Sequence, residues 1–114
     1  MKVKKGYYIK DKWGNIEQVL STGETMYHNR ITIGGYMERS VSNVVLMKKD
    51  WIELLEIGDY INGHKIISIV YDNYKNNKIK GFIAENNNYY EKKNIKTILT
   101  EQAFNNRQKH IDDL

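Results

Sequence analysis

The chain of 114 residues contains no cysteine and no proline. Without cysteine it has no disulfide, no thiolate zinc ligand and no cysteine nucleophile. No apolar run approaches the roughly 18 residues that indicate a transmembrane helix. The basic N-terminal segment is followed by no apolar stretch of the kind found in secretory signals. We therefore predict a cytoplasmic protein without a membrane segment.

Residue patterns that carry catalysis or metal binding are also missing from the sequence. Gly34-Gly35 lacks the helix and lysine that complete a phosphate-binding loop. Glu53 and Glu56 lie one helical turn apart, a spacing more typical of the solvated side of an amphipathic helix than of an acid–base pair. We predict no catalytic residue, no cofactor and no metal site. The histidines are too far apart for local metal-ligand spacing: His28, His64 and His110.

Since proline is absent, glycine and asparagine must form the turns, because both tolerate a positive φ. Their spacing suits short strands. For Asn62-Gly63 we predict a tight hairpin turn with Gly63 at positive φ. The turn signals are Trp13-Gly14-Asn15, Thr22-Gly23-Glu24, Gly34-Gly35, Asn62-Gly63, Asn76-Asn77 and Asn86-Asn87-Asn88.

The segments between these turns are β-branched or alternate between apolar and polar residues. The continuous apolar run at 44–47 is typical of a buried strand. Strict alternation would place Ile67, Ile69 and Tyr71 on one face of a later strand. No repeat of 20–50 residues is visible. The residues expected to be nearly buried are Leu54, Ile67, Ile69 and Phe82.

Two helices complete the predicted fold. Asp50 can cap a short helix near 51–57 that Gly58 ends. Thr100 can cap a C-terminal helix that runs toward Asp113, with Phe104 on its apolar stripe. The sequence therefore predicts one domain, 1–114, of the mainly β (α+β) class. Its core would be a small antiparallel sheet or barrel.

Tyrosine and lysine supply the candidate binding residues. The chain has nine tyrosines and a net charge of +4. Exposed tyrosine among lysines suits base stacking with phosphate neutralisation, and it suits a protein interface equally well. The same residues also occur on edge strands that bind nothing. The predicted partner-binding residues are Tyr74, Lys75, Lys78, Lys80, Tyr89, Tyr90, Lys92, Lys93 and Lys96.

An acidic segment offers a second route to a partner. Glu53, Glu56 and Asp59 lie close together in a stretch without a basic residue, so they could imitate phosphates in a basic channel. Three carboxylates are few for such mimicry, and the whole chain is positive. We therefore favour the lysine and tyrosine residues.

Two blocks resemble a family. Glu56-Ile57-Gly58-Asp59-Tyr60-Ile61-Asn62-Gly63 is similar to a Glu-Val-Gly-Asp-Tyr-Val-Asn-Gly block, and Ile95-Lys96-Thr97-Ile98-Leu99-Thr100 is similar to a second one. Both occur in small accessory proteins of phages and prophages of low-GC Gram-positive bacteria. The resemblance covers roughly residues 41–105.

The resemblance implies a context and assigns no catalytic residue. Small phage accessory proteins include inhibitors of bacterial immunity such as anti-CRISPR proteins. We therefore expect a non-enzymatic protein that acts in the host cytoplasm and binds an immune effector or its guide-RNA complex. The alternative is a small β-barrel nucleic-acid-binding protein with little sequence preference. A third possibility is an oligomeric β protein that sequesters a nucleotide signal.

Overall fold

The computed structural model describes residues 3–22, 30–33, 37–74 and 78–112. The chain divides into two compact units, Met1–Leu54 and Leu55–Leu114, called here the first and second unit. Each unit contains one five-stranded antiparallel sheet, and neither sheet closes into a barrel in the described part of the chain. The predicted mainly β, α+β class is confirmed, whereas the prediction of a single domain stays a prediction.

The sheet of the first unit is a meander of four strands, and a fifth strand returns to pair with the first. A 3₁₀ helix at Val41–Asn43 precedes the fifth strand, and another at Trp51–Leu54 follows it. Ile9, Val19 and Ile33 form the buried centre. The strands are β1 (Tyr8–Asp11), β2 (Ile16–Ser21), β3 (Arg30–Ile33), β4 (Met37–Ser40) and β5 (Val44–Lys48). Their order in the sheet is β4-β3-β2-β1-β5.

The sheet of the second unit also has five strands, the last of which pairs with the first. A 3₁₀ helix at Lys92–Asn94 precedes its last strand, and helix α1 (Glu101–Asp112) follows it. Ile61, Ile66 and Phe82 are fully buried. The strands are β6 (Tyr60–Ile61), β7 (His64–Asp72), β8 (Lys78–Ala84), β9 (Tyr89–Tyr90) and β10 (Ile98–Leu99). Their order in the sheet is β10-β6-β7-β8-β9.

The two units repeat one topology, which the sequence did not reveal. In both, four strands form a meander, a 3₁₀ helix follows, the fifth strand pairs with the first, and a helical segment comes next. Matching hydrogen bonds fix the correspondence: Gly6 N–H donates to the Val19 carbonyl at 2.8 Å, and Gly58 N–H donates to the Ile66 carbonyl at 3.0 Å. Both glycines have a positive φ, 85° and 100°.

A β-bulge recurs at the corresponding place in both sheets. In β2, Leu20 is the extra residue between the paired residues Val19 and Ser21. In β7, Ile67 is the extra residue between Ile66 and Ser68. An extra residue reverses the alternation of side chains along the rest of the strand. Each bulged side chain is exposed, while the residue before it is buried.

This bulge contradicts the predicted burial of Ile67, which is 49% exposed. Ile66 pairs with Ala84, and Ile69 pairs with Phe82. Because Phe82 and Ala84 are two residues apart in an uninterrupted stretch of β8, their partners Ile66 and Ile69 share a face. The core face of β7 therefore begins one residue earlier than strict alternation predicts. The burial of Leu54 and Phe82 is confirmed, and Ile69 is half-buried.

The apolar run at 44–47 does not form the buried strand that its composition predicts. It forms β5, which is an edge strand of the first sheet. Val45 and Leu46 are exposed, because a strand paired on one side only lacks the cover of a central strand. The apolar run therefore does not mark a buried strand.

The turn and helix-cap residues predicted local structure more accurately than the apolar pattern did. Asn62 and Gly63 both have a positive φ, 51° and 81°, and connect β6 to β7 as predicted. Thr100 caps α1, accepting a hydrogen bond at Oγ1 from the Ala103 N–H at 3.1 Å. Asp50 accepts one from Ile52 N–H at 3.2 Å, but the helix that it begins is 3₁₀ and ends at Leu54 instead of running through 57. The turn signals at Gly23-Glu24, Gly34-Gly35 and Asn76-Asn77 lie outside the described residues.

Within the described residues, no helix combines the length and the hydropathy that crossing a bilayer requires.

Candidate functional site

All nine predicted partner-binding residues belong to the second unit. Lys75 lies outside the described residues. The other eight are called here the lysine–tyrosine surface: Tyr74, Lys78, Lys80, Tyr89, Tyr90, Lys92, Lys93 and Lys96.

One part of this surface lies at the end of the β7–β8 hairpin. The Tyr74 side chain is 98% exposed. Its backbone N–H donates to Asp72 Oδ1 at 2.9 Å, so the carboxylate fixes the main chain from which the ring projects. Lys78 and Lys80, on the returning strand, are exposed. A fully exposed aromatic ring on a hydrogen-bonded main chain has the form of an interface anchor.

A second part lies on β9, where the two tyrosines have different roles. The Tyr89 ring lies on Gly81 of β8: a Cβ added at Gly81 would be 2.7 Å from two carbons of that ring. Glycine at 81 is therefore what allows the ring to lie against the neighbouring strand. Tyr90 is half-buried, and its hydroxyl accepts a hydrogen bond from Asn86 Nδ2 at 2.9 Å. Tyr89 is available to a partner, whereas Tyr90 mainly holds the preceding turn.

The third part, Lys92, Lys93 and Lys96, lies on the connection from β9, at one edge of the sheet, to β10, at the other. This part also contains a carboxylate. Glu91 forms an ion pair with Lys93 at 3.7 Å. Burial, and after it the Glu91 charge and hydrogen bond, raise the pKa of the Tyr89 phenol above its ordinary value. The phenol is therefore protonated at neutral pH. Because Glu91 lies among the lysines, this part of the surface carries a negative charge as well as positive ones.

The acidic alternative loses one of its three carboxylates. Asp59 is 4% exposed, and its oxygens accept hydrogen bonds from the N–H groups of Glu56, at 2.8 Å, and Glu101, at 2.9 Å. The second bond binds the first residue of α1, where the helix dipole favours a negative charge. Asp59 therefore holds the helix in place and is not presented to a partner, whereas Glu53 and Glu56 are exposed.

The structure also forms an open cleft that the sequence did not predict. It has a volume of about 380 Å³ and lies between α1 and the β6/β10 edge of the second sheet. The Tyr60 and Phe104 rings pack together at its wall, with centroids 5.0 Å apart and planes at 38°. The full lining is Tyr60, Gly63, Thr97, Ile98, Leu99, Phe104 and Arg107.

Asn62 fixes the wall of this cleft. Its backbone N–H donates to the Thr97 carbonyl at 2.9 Å, and its Nδ2 donates to the Asn94 carbonyl at 2.8 Å. Its Oδ1 accepts from the N–H groups of Lys96, at 2.7 Å, and Thr97, at 3.2 Å. One turn residue thereby holds the segment before β10. The only sequence signal for this role was the Asn-Gly turn itself.

Among the residues whose positions are described, no group of three histidine, aspartate or glutamate side chains is arranged to hold a metal ion. Comparison of the chain with protein-family models, curated proteins and solved structures finds no match to any of them. The site is therefore interpreted from its own chemistry.

Proposed function

We propose that the chain is a non-enzymatic, phage-type binding protein that inhibits a host-defence effector in the cytoplasm by occupying its surface. Its contact region is the lysine–tyrosine surface. The observation that carries the proposal is Tyr74, whose ring is almost wholly in solvent while Asp72 fixes the backbone beneath it. The resemblance to phage accessory proteins supplies the class of partner, a bacterial immune effector or its guide-RNA complex.

The arrangement suits binding to an anionic surface. Tyrosine has only two side-chain torsions and so loses little conformational entropy on burial, which is why it is frequent among the residues that dominate interfaces. Lysines around such an anchor raise the rate of encounter with a negative partner and form a polar rim. Lys78 and Lys80 are exposed on β8, the strand that follows the Tyr74 turn.

The test is a DNA-cleavage assay with preassembled CRISPR nuclease–guide complexes, with and without an excess of the protein. We expect inhibition of at least one effector type. Tyr74→Ala should weaken binding about 30-fold, which corresponds to the roughly 2 kcal/mol of an anchor residue. Lys78→Glu combined with Lys80→Glu should slow association roughly tenfold with a smaller effect on dissociation.

The control is Lys5→Glu combined with Lys49→Glu, two exposed lysines of the first unit with the same change in net charge. This variant should associate much faster than the Lys78/Lys80 variant. Equal slowing in both pairs would show that only the overall charge matters and would remove the lysine–tyrosine surface from the proposal. Full cleavage activity of every effector tested would contradict the proposed inhibition of those effectors.

A second candidate function, nucleic-acid binding with little sequence preference, is favoured by Tyr89. Its ring contacts Gly81 and yet remains 43% exposed, and Lys80 is the neighbour of Gly81 in β8. A base can stack on such a ring while lysine neutralises a phosphate.

This candidate predicts a steep dependence on salt. The logarithm of the affinity for a single-stranded oligonucleotide should fall by about 0.7 per logarithmic unit of salt for each phosphate contact. Lys78→Ala combined with Lys80→Ala should therefore reduce the slope by about 1.4. Fluorescence anisotropy over a range of salt concentrations measures it. Absence of binding at low salt would exclude this function.

A further inference from the structure

The two units close their sheets in the same way but differ in the helical segment that follows. In the first unit this segment is the short 3₁₀ helix Trp51–Leu54, whose Ile52 and Leu54 are buried. In the second unit it is the twelve-residue α1, and two of its larger side chains, Phe104 and Arg107, are exposed and line the cleft. The 3₁₀ helix of the first unit contains no lysine or arginine, and its one aromatic residue, Trp51, is only partly exposed. Phe104 and Arg107 are therefore candidates for binding.

The aromatic part of the cleft is formed by the packed Tyr60 and Phe104 rings. Phe104 remains 37% exposed although its ring packs on Tyr60. The Lys65 ammonium lies 5.9 Å from the centroid of the Tyr60 ring, which makes this wall positive as well as aromatic. A planar base can stack on such a ring.

The cationic part adjoins it. Phe104 and Arg107 are three residues apart in α1, so they lie on the same side of the helix, with Cβ atoms roughly 5–6 Å apart. Arg107 forms no ion pair with any carboxylate whose side chain the structure describes. Its guanidinium can offer two parallel N–H groups to a phosphate. Ring and guanidinium thus line the same cleft from the same side of the helix, where one ligand with a base and a phosphate can contact both.

The opposite wall provides space and a polar group. A Cβ added at Gly63 would have no atom of the protein within 4 Å, so the approach on this side is open. The Thr97 side chain is exposed and its hydroxyl forms no hydrogen bond with the described residues. A volume of about 380 Å³ lies near the lower end of small-molecule sites, which begin at about 300 Å³. The cleft accommodates one small ligand and is too small for a polymer.

We propose that this cleft binds a nucleoside monophosphate. The base packs on the Phe104–Tyr60 pair, Arg107 holds the phosphate, and the Thr97 hydroxyl faces the sugar. No residue that lines the cleft belongs to the lysine–tyrosine surface, although Lys96 of that surface directly precedes Thr97. The proposal therefore does not depend on the function proposed above.

The test is a titration of the whole protein with AMP, followed by amide NMR. We expect shifts at Gly63, Thr97, Ile98 and Leu99, which line the cleft. Adenosine alone and inorganic phosphate alone should each bind about tenfold more weakly, because each engages only one half of the site.

Variants identify the two contacts. Phe104→Ala and Arg107→Ala should each weaken AMP binding about tenfold, and Arg107→Lys, which keeps the charge but loses the paired N–H groups, should weaken it less. Two controls should leave binding unchanged. Asn105→Ala alters an exposed neighbour in α1, and Lys78→Ala removes a positive charge outside the cleft.

Three results would overturn the proposal. The first is the absence of any shift at millimolar AMP. The second is a set of shifts confined to the lysine–tyrosine surface. The third is an equal loss of affinity in Lys78→Ala and Arg107→Ala, which would show general attraction of phosphate to a basic protein.

Discussion

Replacing Asp59 with alanine is expected to lower the free energy of unfolding of the second unit by at least about 3 kcal/mol. The substitution removes a buried carboxylate that accepts two hydrogen bonds, and hydrogen bonds to charged groups contribute about 1.5–3 kcal/mol each. The acceptors lost are those of the Glu56 and Glu101 N–H groups. The loss would leave both donors without their partner and α1 without its attachment to the turn before β6.

Amide hydrogen exchange along β7 measures this effect in the second unit itself. Tryptophan fluorescence would not, because Trp13 and Trp51 both lie in the first unit. Asp59→Asn should be milder, since one amide oxygen can still accept one of the two bonds. Glu53→Ala, which removes an exposed carboxylate, should change stability by less than about 0.5 kcal/mol. If Asp59→Ala proved as mild as Glu53→Ala, the attachment of α1 by Asp59 would be wrong.

The second large effect is expected in the core. Phe82→Ala should destabilise the second unit by about 3–5 kcal/mol, because the side chain is fully buried and its removal leaves a cavity. Ile66→Ala should cost about 2–5 kcal/mol, and Ile67→Ala under about 1 kcal/mol, since only the former is buried.

The comparison of Ile66 with Ile67 tests the bulge directly. The two residues are adjacent and chemically identical, so only their orientation distinguishes them. Hydrogen exchange of the β7 amides again provides the free energies. Similar costs for the two substitutions would mean that the bulge does not persist in solution and that strict alternation describes β7.

The parts of the fold that the sequence predicts well are those decided by a few neighbouring residues. The Asn62-Gly63 turn depends on two residues that tolerate a positive φ, and the start of α1 depends on Thr100 and the backbone three residues later. Both signals are present locally, whatever the rest of the chain does.

The parts that were missed depend on distant partners. Whether Ile67 or Ile66 faces the core is decided by the register with β8, and the bulge that shifts this register has no local signature. β5 is apolar over 44–47, yet its exposure follows from its position at the edge of the sheet. The cleft requires Tyr60 and Phe104, which are far apart in sequence, to meet. The lysine–tyrosine residues were predicted from composition, and their binding role stays a prediction.

The repeated topology has a consequence for how such a chain can arise. In each unit the last strand pairs with the first, β5 with β1 and β10 with β6. A unit of this kind therefore begins and ends at adjacent strands, the property that lets a module be inserted or joined in series without rearrangement. Two such halves can therefore follow one another in a single chain, each closing its sheet with its own first and last strands. They differ in the segment after the last strand, which is a 3₁₀ helix in one half and α1 in the other.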